Sequence, residues 1–225
     1  FDSEYALYSS HFSRTEDTPC GRDAALMFFS SGTTGEPKMV EHSHTYALGH
    51  FVTAKYWHCC EPDGLHFTIS DTGWLKSLWG KLYGQWFGES AVFVYDFDRF
   101  HGADILEKME KYKVTTFCAP PTMYRMMLEN DVSKYDLSSL VHCCTAGEAL
   151  NPEIFNRWLA ATGHKIYEGF GQTECTLCIA TIYPWTEPTP GAIGLPVPGY
   201  DVHVLGEDGE SCPRGATGEI CIRVL

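Results

Sequence analysis

The sequence lacks any apolar run near the roughly 20 residues that a helix needs to span a bilayer, and it lacks a basic stripe. Its 16 lysines and arginines stand against 29 aspartates and glutamates, a net charge of −13. That balance argues against a duplex-binding surface and against adsorption to anionic lipid, so neither nucleic acid nor a membrane span is expected. Also absent are a GxxxxGK[ST] phosphate loop, a second CxxC, an internal repeat and a low-complexity tract. No start methionine or signal-like segment precedes Phe1, and Leu225 falls inside a strand-like run. A fragment of a longer parent is therefore expected, with parts missing at both ends and any targeting signal out of view.

Cysteine is plentiful, at ten residues, but not in the manner of a disulfide scaffold. Cys59-Cys60 and Cys143-Cys144 are adjacent, while Cys118 and Cys221 sit inside apolar strand-like runs. The chain is also too long for a small secreted scaffold. Reduced thiols in a cytoplasmic protein are expected. The pair Cys175 and Cys178 forms the CxxC, and it reads as core cysteine ahead of a redox or zinc role. His42 and His44 offer two imidazoles without a third ligand.

Hydrophobic residues make up 44% of the 225, enough for a substantial core. Residues 24–29 (AALMFF) read as a buried strand, followed by a polar loop and a helix capped by Ser43 and running to about Tyr56. Strands over 65–70, 91–95, 114–119, 140–145 and 165–167 then alternate with helices over 75–87, 103–113, 122–130 and 152–162. Such alternation predicts an α/β fold: a doubly wound, mostly parallel sheet with helices on both faces. Near Tyr183 the character changes to PWTEPTPGAIGLPVPG, after which two strand-like stretches flank the turn Glu207-Asp208-Gly209. Those stretches read as part of a small antiparallel β element.

Three segments carry chemistry. Ser30, Ser31, Gly32, Thr33, Thr34 and Gly35 follow the first strand, and Lys38 lies three residues on. Glycines let backbone N–H groups approach an anion, hydroxyls donate without bulk, and Lys38 adds a point charge for outer phosphates. An ordinary polar surface turn would explain Gly-Thr-Thr-Gly alone, but not the whole run behind a buried strand.

The second segment, Tyr167-Glu168-Gly169-Phe170-Gly171-Gln172-Thr173-Glu174, follows a strand and so lies near the carboxyl edge of the sheet, where open α/β folds bind ligands. Gly169 and Gly171 flank Phe170 and are expected to leave its ring face free for a flat partner such as adenine. Thr173 offers a hydroxyl, and Glu174 a carboxylate suited to Mg2+. The third, Thr145-Ala146-Gly147-Glu148-Ala149, stands between a strand and a helix, where backbone groups can read a nucleotide edge. Alone it is no more than a helix-capping loop.

Taken in order, these segments resemble the adenylate-forming (AMP-binding) enzyme superfamily, which includes acyl-CoA synthetases, luciferases and the adenylation domains of peptide synthetases. SSGTTGEPK (30–38) resembles the superfamily's phosphate-loop signature, 167–174 its second core motif, and Gly191–Pro196 with Gly218-Glu219-Ile220 the β segment that follows. The likeness runs from about residue 25 to the end. Within it, SDTGWLKSLWG (70–80), FCAPPTMYRMM (117–127) and EGFGQTE (168–174) look most like medium-chain acyl-CoA synthetases. Phe170 stands where Tyr is common, and Ala149 where Pro often follows Gly-Glu.

The resemblance implies ATP-dependent activation of a carboxylic acid to an acyl-adenylate and pyrophosphate, then transfer to coenzyme A. Ser30 to Lys38 would hold the β- and γ-phosphates, Thr173 the α-phosphate region and Glu174 Mg2+. Phe170 would stack on adenine, with Gly147 and Glu148 at its flank and Glu168, Gly169, Gly171 and Gln172 completing the segment. Thr173, Glu174 and Lys38 are the catalytic candidates. Trp74, beside Gly73, is the candidate wall of the acyl pocket, with a core anchor the competing role. The implied organisation is a partial first α/β unit over 1–60, a second over 61–185 and part of a β-barrel over 186–225. A ribose-binding Asp and a catalytic Lys would lie on the absent C-terminal part, so this piece alone is expected to be inactive. An adenylation domain for an amino or aryl acid, a non-catalytic nucleotide-binding module, and a Cys175/Cys178 metal or redox protein remain alternatives.

Overall fold

The computed structural model describes Leu7, Ser9 and residues 11–30 and 36–223. Strand β1 (Ala24–Ser30) is followed not by a helix but by strand β2 (Lys38–Ser43), its antiparallel partner, in a register that sets Ser30 opposite Lys38. The phosphate-loop segment is thus the connection of a β-hairpin. Ser31, Gly32, Thr33, Thr34 and Gly35 lie outside the described residues. Ser43 ends a strand instead of capping a helix, and its hydroxyl pairs with that of Thr45 at 2.9 Å. Helix α1 (Tyr46–Val52) begins after Thr45 and passes into a π-helical turn, Thr53–Trp57.

A seven-stranded sheet follows. Its strands are β3 (Leu65–Thr68), β4 (Ala91–Val92), β5 (Thr116–Cys118), β6 (His142–Ala146), β7 (Ile166–Gly171), β8 (Leu177–Ala180) and β9 (Leu195–Pro196), in the order β4-β3-β5-β6-β7-β8-β9. Pairings from β4 to β7 are parallel, and β8 and β9 add antiparallel edges. The crossovers contain helices α2 (Gly84–Phe87), α3 (Gly102–Tyr112), α4 (Pro121–Met127) and α5 (Pro152–Thr162).

Successive strand residues face opposite sides, and these strands are apolar on both. Phe117, Cys143 and Ile166 enter the core beneath α3, α4 and α5, with Leu106, Tyr124 and Trp158. Their neighbours Cys118, Cys144 and Tyr167 enter a second core with Trp57 and Leu177. Adjacent cysteines therefore serve two cores, and each of the ten is a free thiol. Helix α5 shows the local logic: the Asn151 side chain accepts from the Glu153 N–H at 2.7 Å, Pro152 fills the first turn, and Gly163 in the left-handed region ends it.

The segment read as a helix over 75–87 is broken into a 3₁₀ turn (Leu75–Ser77), a π-helical turn (Trp79–Tyr83) and α2. A Cβ on Gly84 would lie 2.4 Å from the His50 carbonyl oxygen, so α2 and α1 touch backbone to backbone there. Strands β10 (Asp201–Leu205) and β11 (Glu219–Arg223) form a separate antiparallel pair, as the alternating pattern around the 207–209 turn predicts. No helix among the described residues is long and apolar enough to cross a membrane.

Candidate functional site

A cavity of about 720 Å³ opens at the carboxyl ends of β3, β6 and β7. The end of the hairpin strand β1 reaches it, as do the turn after β3, the loop after β6 and the stretch from Glu168 to Thr173. Parallel strands release their connections at this edge, which is why residues far apart in sequence meet here. Ser30, Trp74, Gly147, Glu148, Glu168, Gly169, Phe170, Gly171, Gln172 and Thr173 all line the one cavity.

Two candidates stand apart. Lys38 pairs with Ser30 across the hairpin and is exposed on β2. Glu174 is exposed between the lining residues Thr173 and Cys175. The hairpin is fastened to this turn by His42, whose imidazole is hydrogen-bonded to the Thr173 backbone; burial holds its pKa below the usual value, opposed by that bond and by the Glu174 charge. That bond ties the β1–β2 hairpin to the second motif.

The second motif is strand, not a turn beyond one. β7 continues through Gly171, with a register shift against β8 between Phe170 and Gly171. Its glycines answer to packing instead of clearing the Phe170 ring. A Cβ on Gly169 would lie 2.5 Å from Leu177 Cδ1 and 2.7 Å from Trp57 Cζ2, and one on Gly171 would lie 2.6 Å from the Thr176 carbonyl oxygen. Phe170 itself is half-buried in the cavity wall.

Glu168 is 6% exposed and turned inward. Its Oε1 accepts the Leu150 N–H at 3.0 Å, which pins the Gly147 loop against β7. Burial raises this carboxyl's pKa, and the Leu150 bond partly offsets the rise. Glu148 Oε2 accepts from the Thr122 hydroxyl at 2.6 Å, securing the loop's other side to α4. Gly147 adopts φ +100°, a conformation closed to most side chains, and meets no atom within 4 Å where a Cβ would stand. Its backbone faces open space.

Trp74 is 59% exposed, so it walls the cavity without anchoring a core. Beside it Lys76 also lines the cavity, its Nζ buried with no hydrogen-bond partner. Sequence reasoning passed over Lys76, Trp57 and His50 and read Cys175 as a core cysteine, whereas all four line the cavity. Only the run GWLK carried a hint of Lys76. Cys175 is held down to about 7 by a hydrogen bond from Cys178, which makes it the thiolate-prone member of the CxxC. The arrangement offers an aromatic face, exposed loop backbone, hydroxyls at Ser30 and Thr173, and a carboxylate at Glu174. That donor set suits a purine, a phosphate chain and a hard divalent cation such as Mg2+.

Comparison with known proteins agrees with this geometry. Mouse acyl-coenzyme A synthetase ACSM3, mitochondrial, is 40% identical over 223 residues, 99% of this chain and 38% of that protein. Human ACSM5, mitochondrial, is 37% identical over 204 residues. The chain thus spans about 38% of the length of the first of these relatives. Among solved structures, the anthranilate CoA ligase AuaEII in complex with anthranoyl-AMP superposes with a TM-score of 0.80 at 29% identity, covering 90% of this chain and 39% of that one. Brucella canis acyl-CoA synthetase shares the fold, with a TM-score of 0.84 at 24% identity over 99% of this chain and 41% of that one. The AMP-binding enzyme profile matches residues 2–224, so the chain belongs to the AMP-binding enzyme family.

Proposed function

We propose that the parent protein is an AMP-forming acid–CoA ligase acting on a fatty acid of medium or short chain. The observation that carries this reading is the convergence of Ser30, the Gly147-Glu148 loop and the Glu168–Thr173 stretch on the cavity that Trp74 walls. One side of that cavity suits a nucleotide, and the other an acyl group.

In the first half-reaction a carboxylate oxygen bonds to the α-phosphorus of ATP and pyrophosphate departs. In the second the thiol of coenzyme A takes the acyl group and AMP leaves. Such chemistry asks the protein to position reactants and to stabilise spreading negative charge. Phe170 stacks on adenine, Gly147 and Glu148 border it, and the backbone from Glu168 to Gln172 forms the floor beneath. Ser30 and Thr173 donate to phosphate oxygens, as do Ser31, Gly32, Thr33, Thr34 and Gly35, with Lys38 supplying positive charge to the pyrophosphate. Glu174 would hold Mg2+, which when bound neutralises phosphate charge. Ten free thiols fit a reducing compartment, the cytoplasm included, although the mammalian relatives carry mitochondrial names.

The test is carboxylate-dependent ATP–pyrophosphate exchange by the full-length protein, across acetate, butyrate, octanoate, palmitate, benzoate and several amino acids. A maximum at butyrate to octanoate is expected. A maximum on benzoate or an amino acid would move the substrate, and silence with every acid despite ATP binding would leave a nucleotide-binding module.

A further inference from the structure

The turn that joins β7 to β8, residues 172–176, carries both Thr173 and Glu174. One backbone bond closes it internally, from the Cys175 N–H to the Gln172 carbonyl at 3.2 Å. Its other holds come from distant parts of the chain. At one end the His42 imidazole of the hairpin is hydrogen-bonded to the Thr173 backbone. At the other, Tyr200, the residue that precedes β10, reaches Thr176.

Tyr200 holds both the backbone and the side chain of Thr176. Its hydroxyl oxygen accepts the Thr176 N–H at 3.2 Å and lies 2.6 Å from Thr176 Oγ1. A phenol hydroxyl accepts and donates at once, so one atom serves both partners. The ring packs against the second core, whose members include Trp57 and Leu177. Ring and hydroxyl therefore have separable roles, packing for the one and the turn for the other. Among the described residues, no other side chain of 200–223 hydrogen-bonds to the chain before β9. Thr176 lines the cavity together with Thr173, and Glu174 stands exposed between the two clamped positions.

We propose that Tyr200 is a positioning residue for the phosphate end of the cavity: its hydroxyl fixes Thr176, and through Thr176 the backbone that aims Thr173 and Glu174 at the phosphates of ATP. The inference rests on the reading of this cavity as an ATP site. Tyr200 is not among the residues that line the cavity, so it acts through Thr176 alone. Reactions that depend on placing charged groups are sensitive to misplacement by about 1 Å, and such placement is set by supporting side chains that do not touch the ligand. A hydroxyl and a carboxylate on a turn lie outside the strand ladder that would otherwise hold them. A clamp at each end supplies that hold, one from β2 and one from the approach to β10.

The experiment compares the full-length protein with Tyr200→Phe, Thr176→Val and the double variant, by equilibrium dialysis with ATP and by ATP–pyrophosphate exchange with its best acid. Phenylalanine keeps the ring in the core, and valine removes the Thr176 hydroxyl while leaving its N–H. Tyr200→Phe should weaken ATP binding and raise the KM for ATP about tenfold, the scale of one or two neutral hydrogen bonds. The KM for the acid and the melting temperature should hardly move. The double variant should be little worse than Tyr200→Phe alone, because both changes remove the same link. ATP affinity untouched by Tyr200→Phe, equal rises in the KM values for ATP and acid, or additive losses in the double variant would each overturn the proposal. A wild type that binds ATP but exchanges with no acid would sink the ligase reading alone, and the dialysis comparison would still decide the clamp. A wild type that binds no ATP would overturn both.

Discussion

Glu168 on β7 accepts the backbone N–H of Leu150 at 3.0 Å, so a side chain of one motif holds the loop of another. Removing it leaves a buried N–H without a partner, at a cost of about 1–3 kcal/mol. Glu168→Ala should lower stability by that amount in urea melts and weaken ATP binding as the Gly147 loop loosens. Glu168→Gln keeps an acceptor oxygen and should recover most of both. Equal loss in the two variants would show that the charge matters, and not the bond.

Gly169 has no room for a methyl group between Trp57 and Leu177. Overpacking of this kind costs roughly 1–3 kcal/mol. Gly169→Ala is expected to lower the melting temperature and to reduce nucleotide affinity together, because the displaced Trp57 and Leu177 both line the cavity. Unchanged affinity at lowered stability would separate the strand's packing from its ligand face.

Trp74 is more than half exposed, and substitutions at such positions usually change stability by less than about 0.5 kcal/mol. Trp74→Ala should therefore leave the melting temperature alone while shifting the preferred acyl chain length in the full-length enzyme. A large fall in stability with unchanged preference would return the indole to a packing role.

Buried histidines set an acid limit on the fold. Desolvation holds His50 and His142 down to about 4 and His66 to about 3. The unfolded chain takes up these protons near pH 6.5, and the folded one only near pH 4 or below. Stability is therefore full above pH 6.5 and falls as pH drops toward 4, by at most about 1.4 kcal/mol per pH unit for each histidine. Urea midpoints at pH 7 and pH 5 measure the loss. His58 is held well below its ordinary value by the same burial, so His142→Gln should shrink the loss by about a quarter at most, and a midpoint independent of pH over this range would contradict the burial argument.

Much of the doubly wound order was legible because apolar strands and amphipathic helices alternate, and α3 and α5 keep nearly the expected bounds. β2 was not. Three of its six residues KMVEHS are exposed and one is buried, and it exists as a strand through pairing with β1, a relation that local pattern cannot carry. Gly169 and Gly171 misled for a related reason. Glycine marks a turn when the chain must bend and a strand when a neighbour must come close, and only the neighbours Trp57 and Thr176 tell the two apart. The lining residues quoted from the motifs converge as a set, whereas Lys76 and Cys175 gain their meaning from what they face.

Trp57 stands between the cavity and the packed core. Its ring lines the cavity, and its backbone carbonyl accepts from the Cys144 thiol at 2.7 Å on the core side. The indole is 3% exposed and sits directly against His58, at 4.6 Å between ring centres. An occupant of the cavity would alter this chromophore. A ring set between the cavity and the buried His58 is thus a built-in optical gauge, one whose emission reports the filling of the cavity.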